Sequence, residues 1–301
     1  MTAPLCRLDD RAVLAVSGED RFDFLNTLLS ADVAKDEGGA AFAALLTPQG
    51  KLLADVLCYT DRDRILIDFP RGSDFDKRLR MYKLRAAVDL ALLEDWGVGV
   101  VLPLNPAALQ QEEAQQASKL HTGDDQPGAG MDGGAVTFAD PRSDRLGWRV
   151  LGPDWSIAAG DDEPAGAGIR QDYDRARIAA VVPEGPVDLK PNKALLMESG
   201  FERLGGLDFR KGCYVGQEVT ARMKYRNLGK KRLMALSSEA ALQPGEAVLA
   251  GERQAGEVLT AVGGTALGLI RHETIGERLR AEGGAAVSIS ADPDAVAPPK
   301  P

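Results

Sequence analysis

The chain has 301 residues, 44% hydrophobic and 27% charged, with a formal net charge of −9. That length exceeds a single small core and points to roughly two or three domains, while the acidic balance argues against wholesale nucleic-acid binding. Three widely separated cysteines (Cys6, Cys58 and Cys213), no apolar run of membrane-spanning length and no signal-like start point to a cytoplasmic protein in a reducing compartment.

Val13–Val16 reads as a strand, and Ser17 as the N-cap of a helix through Phe22, Leu25, Leu28 and Leu29. Ala41–Leu46 and Leu52–Tyr59 flank the turn Thr47-Pro48-Gln49-Gly50, a hairpin signal, and Arg64–Phe69 completes an antiparallel meander. Asp74–Leu84 has a helical stripe of Phe75, Leu79 and Tyr82, followed by strands over Ala87–Leu93 and Val98–Leu102. Residues 105–134 change to Gln, Glu, Ala, Asp and Gly without clean periodicity. They read as a long connection with one short helix near Pro106–Leu120. Val136–Ala139 and Leu146–Leu151 form a second hairpin around Asp140-Pro141-Arg142-Ser143. A helix over Asp172–Val181 is stopped by Pro183-Glu184-Gly185-Pro186, and Asn192–Met197 reads as a short helix. Beyond Gly229 come short strands over Arg232–Leu236, Ala247–Ala250, Ala255–Thr260, Ala266–Ile270 and Ala285–Ser290. That spacing suggests a small β-barrel or sandwich, ahead of a Pro-rich tail.

One stretch combines a reactive atom, bendable backbone and concentrated charge: Arg210-Lys211-Gly212-Cys213-Tyr214-Val215-Gly216-Gln217-Glu218-Val219-Thr220-Ala221-Arg222. After Gly216 the residues read as a helix, with Val215, Val219 and Met223 on one apolar face and Glu218 and Arg222 paired at i, i+4. A thiol near such a helix start, beside Arg210 and Lys211, is favoured as thiolate; the plainer alternative is a cysteine packed as a small hydrophobe. From Arg203 to Arg232 there are nine Lys/Arg against two acids, a local field suited to an anionic ligand or a phosphate backbone, or a solvated basic surface. No Cys-x-x-Cys or His-x-x-x-His spacing occurs, His121 and His272 being the only histidines, so no metal site is expected. Trp96, Trp148 and Trp155 are expected to pack in the core.

The octapeptide Lys211-Gly212-Cys213-Tyr214-Val215-Gly216-Gln217-Glu218 resembles the K-G-C-x-x-G-Q-E signature of the YgfZ family at every fixed position. This family comprises folate-binding relatives of the glycine-cleavage aminomethyltransferase and includes mitochondrial assembly factors for four-iron clusters. Phe24-Leu25-Asn26 to Asp32-Val33, Leu46–Lys51 with Asp55, Tyr82-Lys83-Leu84-Arg85 and the Arg222–Arg232 continuation extend the resemblance over about residues 8–290.

The resemblance implies an α+β, multi-domain, aminomethyltransferase-like ring with a C-terminal β-barrel. Residues 1–230 would form the folate-binding region, two interleaved α+β subdomains connected near 103–134, residues 231–290 the barrel and residues 291–301 a tail. The implied function is to bind tetrahydrofolate or a derivative and to assist synthesis or repair of iron–sulfur clusters in a subset of client enzymes, radical-SAM enzymes that modify transfer RNA among them. Cys213 carries over as the functional thiol, and Lys211, Gly212, Tyr214, Gly216, Gln217, Glu218 and Arg222 as the cofactor-binding neighbourhood. Iron–sulfur client or assembly proteins are the implied partners of a monomer without membrane contact, and direct transfer-RNA contact through the basic stretch is a further reading. The segment Ile67–Asp76 lacks the N-A-[ST] pattern that leads to a catalytic aspartate in the aminomethyltransferase branch, which argues against glycine-cleavage activity. The alternative is a folate-dependent aminomethyltransferase or demethylase acting on an amine substrate, with Asp74 or Asp76 as its carboxylate.

Overall fold

The computed structural model describes residues 5–102, 134–153 and 166–293; the expected helix near Pro106–Leu120, His121 and Trp155 lie outside these. The described elements begin with β1 (Leu5–Arg7), β2 (Arg11–Ser17), α1 (Arg21–Leu28), β3 (Ala40–Leu46), β4 (Leu52–Asp61) and β5 (Arg64–Pro70). Next come α2 (Phe75–Lys83), β6 (Asp89–Leu92), β7 (Trp96–Val101), β8 (Val136–Ala139), β9 (Trp148–Pro153), α3 (Gly166–Ala180) and α4 (Gln217–Tyr225). The last are β10 (Lys231–Ser237), β11 (Ala247–Ala250), β12 (Arg253–Val262), β13 (Thr265–Arg271), β14 (Leu279–Ala281) and β15 (Ala286–Ala291).

The α+β expectation holds. A five-stranded antiparallel sheet runs β3-β4-β5-β2-β6, a four-stranded one runs β1-β7-β9-β8, and β10-β13-β12-β11-β14-β15 close into a barrel. Successive side chains of a strand point to opposite faces, and the first sheet buries both. Val13 and Ala15 of β2 join a core with Val98, Val100, Phe138 and Leu151 of the second sheet. Leu14 and Val16 join a separate core with Phe24 and Leu25 of α1 and Phe75 and Leu79 of α2. Burial on both faces is why these strands read as unbroken apolar runs rather than alternating ones. Helix α3 rests on the outside of the barrel, with Ile178 and, just past the helix end, Val181 against Leu233, Leu259 and Leu267.

Several expectations are corrected. Ser17 ends β2 instead of capping α1: Gly18 turns the chain at φ +100° and Asp20 takes the N-cap position. The Asp20 carboxylate does not cap the helix but accepts from the Ala87 amide at 2.7 Å. Residues 192–197 form turns, not a helix. Their backbone is recruited by β4, Asn192 N–H donating to Leu52 O (2.7 Å) and Leu52 N–H to Ala194 O (3.0 Å). Strands β1 and β14, three residues each, were too short to give a periodic signal.

Candidate functional site

The segment carrying the octapeptide is irregular up to Gly216 and helical after it. Its shape follows from where its polar groups are held. Asp208 N–H donates to Ser30 O (3.0 Å), and Arg210 N–H donates to the Asp208 carboxylate (2.7 Å). Lys211 turns inward: its Nζ donates to Leu29 O (2.8 Å) and Ala31 O (3.0 Å) and lies 3.4 Å from Asp32. Burial pushes its pKa down, opposed by the Asp32 carboxylate. Gly216 sits at φ +83°, and a Cβ there would lie 2.6 Å from Thr47 O, so only glycine lets the loop close onto the β3–β4 turn. Gly50, in that turn, is in turn crowded by Val219 of α4.

These anchors leave Gly212 and Cys213 exposed between two fixed points. Tyr214 is buried under Lys211, whose Nζ is 5.5 Å from the ring centroid, and burial pushes its phenol up to about 12. The helix starts at Gln217, so Cys213 precedes it rather than lying in its first turn. Glu218 and Arg222 form the expected i, i+4 pair at 2.7 Å on the solvent side. The structure therefore brings all the sequence-named residues into one loop and helix but divides their roles. Cys213, Gly212, Glu218 and Arg222 face solvent. Lys211 does not: its ammonium, which the resemblance places in the cofactor-binding neighbourhood, is taken up by the carbonyls of residues 29 and 31.

The basic stretch is also partly engaged. Lys224 pairs with Glu202 and sits over Phe209, Arg203 donates to Val181 O (2.6 Å), and Arg232 pairs with Asp292 (2.5 Å). Around them Arg210, Tyr225, Arg226, Leu228 and Lys230 are exposed, giving a basic surface with an aromatic and an aliphatic group in it.

A second feature went unseen in the sequence: a buried cluster of charge between the two sheets and α3. Arg11 donates to Asp68 (2.6 Å) and Asp55 (3.0 Å), and Arg149 lies 3.5 Å from Asp68 and 3.3 Å from Glu184. Arg142 forks onto Asp140 at 2.9 and 2.7 Å, and Tyr173 Oη donates to Glu184 (2.7 Å). Arg177 reaches Asp188 (2.7 Å), which also accepts from both the amide and the hydroxyl of Thr260 in β12. Burial opposes ionisation of Glu184, yet Arg177, Arg149 and Arg142 hold it well below the usual carboxylate range. Asp68 goes the other way: burial outweighs Arg11 and Arg149 and raises it. A signal was available, because Asp55 and Asp68 are lone acids inside otherwise apolar strand runs.

One end of this cluster borders a cavity of about 130 Å³, lined by Leu52, Leu53, Asp55, Ser73, Gly185 and Pro186 among others. Asp55 Oδ1 and Ser73 Oγ are buried and have no hydrogen-bond partner. Asp74, at the N-cap of α2, and Asp76, in its first turn, do not line this cavity; they pair with Lys77 (3.7 Å) and Arg80 (2.9 Å).

Comparison with known proteins places this geometry. The chain is 32% identical to the mitochondrial iron–sulfur cluster assembly factor IBA57 of Mus musculus, over 89% of this chain and 78% of that protein. It is likewise 32% identical to the IBA57 of Homo sapiens, over 95% of this chain and 83% of that one. The chain belongs to the YgfZ/IBA57 family. Residues 230–296 also match the family profile of the CAF17 C-terminal β-barrel domain, the part that forms β10–β15. The crystal structure of the glycine cleavage system aminomethyltransferase T from Bartonella henselae superposes with a TM-score of 0.75 at 16% identity, covering 96% of this chain and 85% of that one. The fold is therefore aminomethyltransferase-like. The family relation corrects the cytoplasmic expectation: these relatives are mitochondrial proteins and point to that compartment instead. Free, unpaired cysteines report a reducing environment, and that property does not separate the cytoplasm from the mitochondrial interior.

Proposed function

We propose that this YgfZ/IBA57-family protein assists the assembly or repair of iron–sulfur clusters in client enzymes, with Cys213 as its functional thiol and a folate as its small-molecule partner. The observation that carries the reading is the fixed presentation of Cys213. The anchors at Lys211 and Gly216 hold its loop on the β3–β4 turn while the thiol stays in solvent. Cys6 and Cys58 are the contrast, both buried and both pushed up to about 12 by burial. A solvent-exposed thiol is accessible to iron or to a sulfur species, which the two buried ones are not. The surrounding cations favour an anionic partner: an acidic client or assembly protein, or the backbone of a transfer RNA where the client modifies one.

The folate part is supported by the residues of the cavity. A pterin ring offers N–H donors along one edge and flat apolar faces, matching an unpartnered carboxylate oxygen between leucine and proline walls. When bound, a reduced folate supplies one-carbon chemistry. The chain's own residues would bind and orient it and keep water from its buried edge. The amine-transferase alternative gains nothing from Asp74 and Asp76, which are committed to pairs on the helix surface.

The test is maturation of a four-iron client enzyme in cells whose own copy of this protein is replaced by a Cys213→Ser variant. Client activity is expected to fall to the level seen without the protein, at unchanged amounts of both proteins. Full client activity would remove the thiol from the mechanism.

A further inference from the structure

The five-stranded sheet treats its two edges differently. At β3 the chain covers the edge: Leu29 bridges to Leu45, Ser30 N–H donates to Ala44 O (3.0 Å), and Ala44 N–H donates to Ser30 Oγ (2.9 Å). At β6 nothing among the described residues pairs on the outer side. Leu93 N–H donates to Val13 O (3.0 Å), and the register sets Leu92 against Leu14 and Ala91 against Ala15. Alternate residues of an antiparallel strand bond to one neighbour. Asp89, Ala91 and Leu93 therefore serve β2, while Leu90 and Leu92 turn their N–H and C=O groups outward. Open edges are usually blunted by lysine, proline or a bulge. Strand β6 reads Asp-Leu-Ala-Leu, and its pairing with β2 runs without a register shift.

The surroundings of this edge say what it fits. Large exposed hydrophobic side chains gather here: Leu92 on β6, Met81 in α2 and Leu84 at the C-cap of α2, at 39%, 63% and 88% exposure. Lys83 of α2 reaches Asp89 of β6 (3.4 Å), which keeps the helix end beside the strand. The two flanks of β6 carry opposite charge: Arg85 on the approach, Glu94 and Asp95 on the departure. All three are exposed, and none is in an ion pair among the described residues. Any added strand would satisfy the backbone groups of Leu90 and Leu92. An antiparallel copy of β6 does more, because it sets the basic flank of each chain beside the acidic flank of the other.

We propose that the open edge of β6 is a self-association surface, on which a second copy of this chain pairs antiparallel about a two-fold axis through Ala91. Leu90 of each chain then lies opposite Leu92 of the other, and each such pair exchanges both of its backbone hydrogen bonds. The two leucines share one face of the strand, so the pairing buries Leu92 against an apolar neighbour. Ala91 is small enough to meet its own copy at the axis. This departs from the monomer that the resemblance implies. It is independent of the role given to Cys213, whose loop sits on the β3–β4 turn at the far side of the sheet. Both thiols of such a dimer stay open to partners.

The experiment is sedimentation velocity of the full chain over a concentration series reaching the high micromolar range, with amide exchange followed in the same samples. The sedimentation coefficient should rise from the monomer value toward the dimer value. Exchange at Leu90 and Leu92 should slow as it does, while Ala91, bonded to β2, stays protected throughout. Leu92→Pro removes an outward N–H and leaves the bonds to β2, an edge position where proline is tolerated. It should stay monomeric at every concentration, and its melting curve checks the fold. Arg85→Glu leaves the backbone alone and should weaken the dimer about 3–10-fold, the range for two exposed ion pairs. Adding Glu94→Arg to that variant should recover most of the loss. A wild-type chain that is monomeric at every concentration would overturn the proposal. So would a dimer that Leu92→Pro and Arg85→Glu both leave unchanged, because it would be joined elsewhere.

Discussion

Asp188 and Asp55 are both buried aspartates at the ends of one charge cluster, and they are treated in opposite ways. Asp188 Oδ2 accepts from Arg177 (2.7 Å) and the Glu184 amide (3.0 Å), while Oδ1 accepts from the amide and hydroxyl of Thr260 (2.9 and 2.7 Å). Every acceptor position is used, and the bonds tie α3 and the turn after it to barrel strand β12. Asp55 uses Oδ2 for Arg11 and leaves Oδ1 to the cavity. Burial alone therefore does not distinguish a fully satisfied structural acid from one with acceptor capacity left over; completeness of hydrogen bonding does.

The sharpest way to break this comparison is at the satisfied end. Asp188→Ala leaves the Arg177 guanidinium buried, although Asp174 still accepts from it (2.7 Å), and strips Thr260 of its acceptor. Removing one partner of a buried pair costs about 3–5 kcal/mol, a large part of a typical domain's stability. The thermal midpoint should fall by many degrees, with the barrel losing protection from hydrogen exchange first. A midpoint within a degree of wild type would show that the strut is dispensable.

A second variant tests the same rule on the motif. Lys211→Met keeps the side chain's length and removes the donor from Leu29 O and Ala31 O, in a side chain that is 1% exposed. Loss of hydrogen bonds from a charged donor to buried carbonyls is worth about 1–3 kcal/mol. The expected signature is local: faster amide exchange over residues 208–216, with the two sheets unchanged. Unaltered exchange in that loop would mean that Gly216 and the β3–β4 turn hold it without the lysine.

What the sequence made legible divides along the same line. The strands of the first sheet were visible because β2, β4 and β5 bury both faces and so appear as apolar runs. The motif was visible because its residue order is unusual, and its helix because Val219 and Met223 recur at helical spacing. The direction of Lys211 was not visible, since a lysine beside an exposed thiol looks like a solvent cation. Its acceptors lie about 180 residues away in the chain. The charge cluster was missed for the same reason: Arg11, Asp55, Asp68, Arg149 and Glu184 meet only in the folded chain. Gly185 appeared as a helix stop, and only the folded chain shows that a Cβ there would lie 2.2 Å from Asp55 Oδ1.

The smallest expected effect belongs to the most conspicuous ion pair. Arg222 and Glu218 lie on the exposed face of α4 at 2.7 Å, with side chains 50% and 85% exposed. Water screens such a pair and its side chains give up rotamer freedom to form it, so its worth is about 0.3–0.5 kcal/mol. Arg222→Ala should therefore leave the melting curve nearly unchanged. If the surface around Cys213 meets an anionic partner, the same substitution should slow client maturation while the fold stays intact, and added salt should narrow the gap between variant and wild type. Lys211→Met would lower maturation by loosening the loop, with a change in exchange and no dependence on salt. Two cations eleven residues apart would then fail for different reasons: one because it holds the thiol in place, the other because it faces what comes to meet it. Equal salt dependence in both variants would contradict that division and return Lys211 to the partner-facing surface.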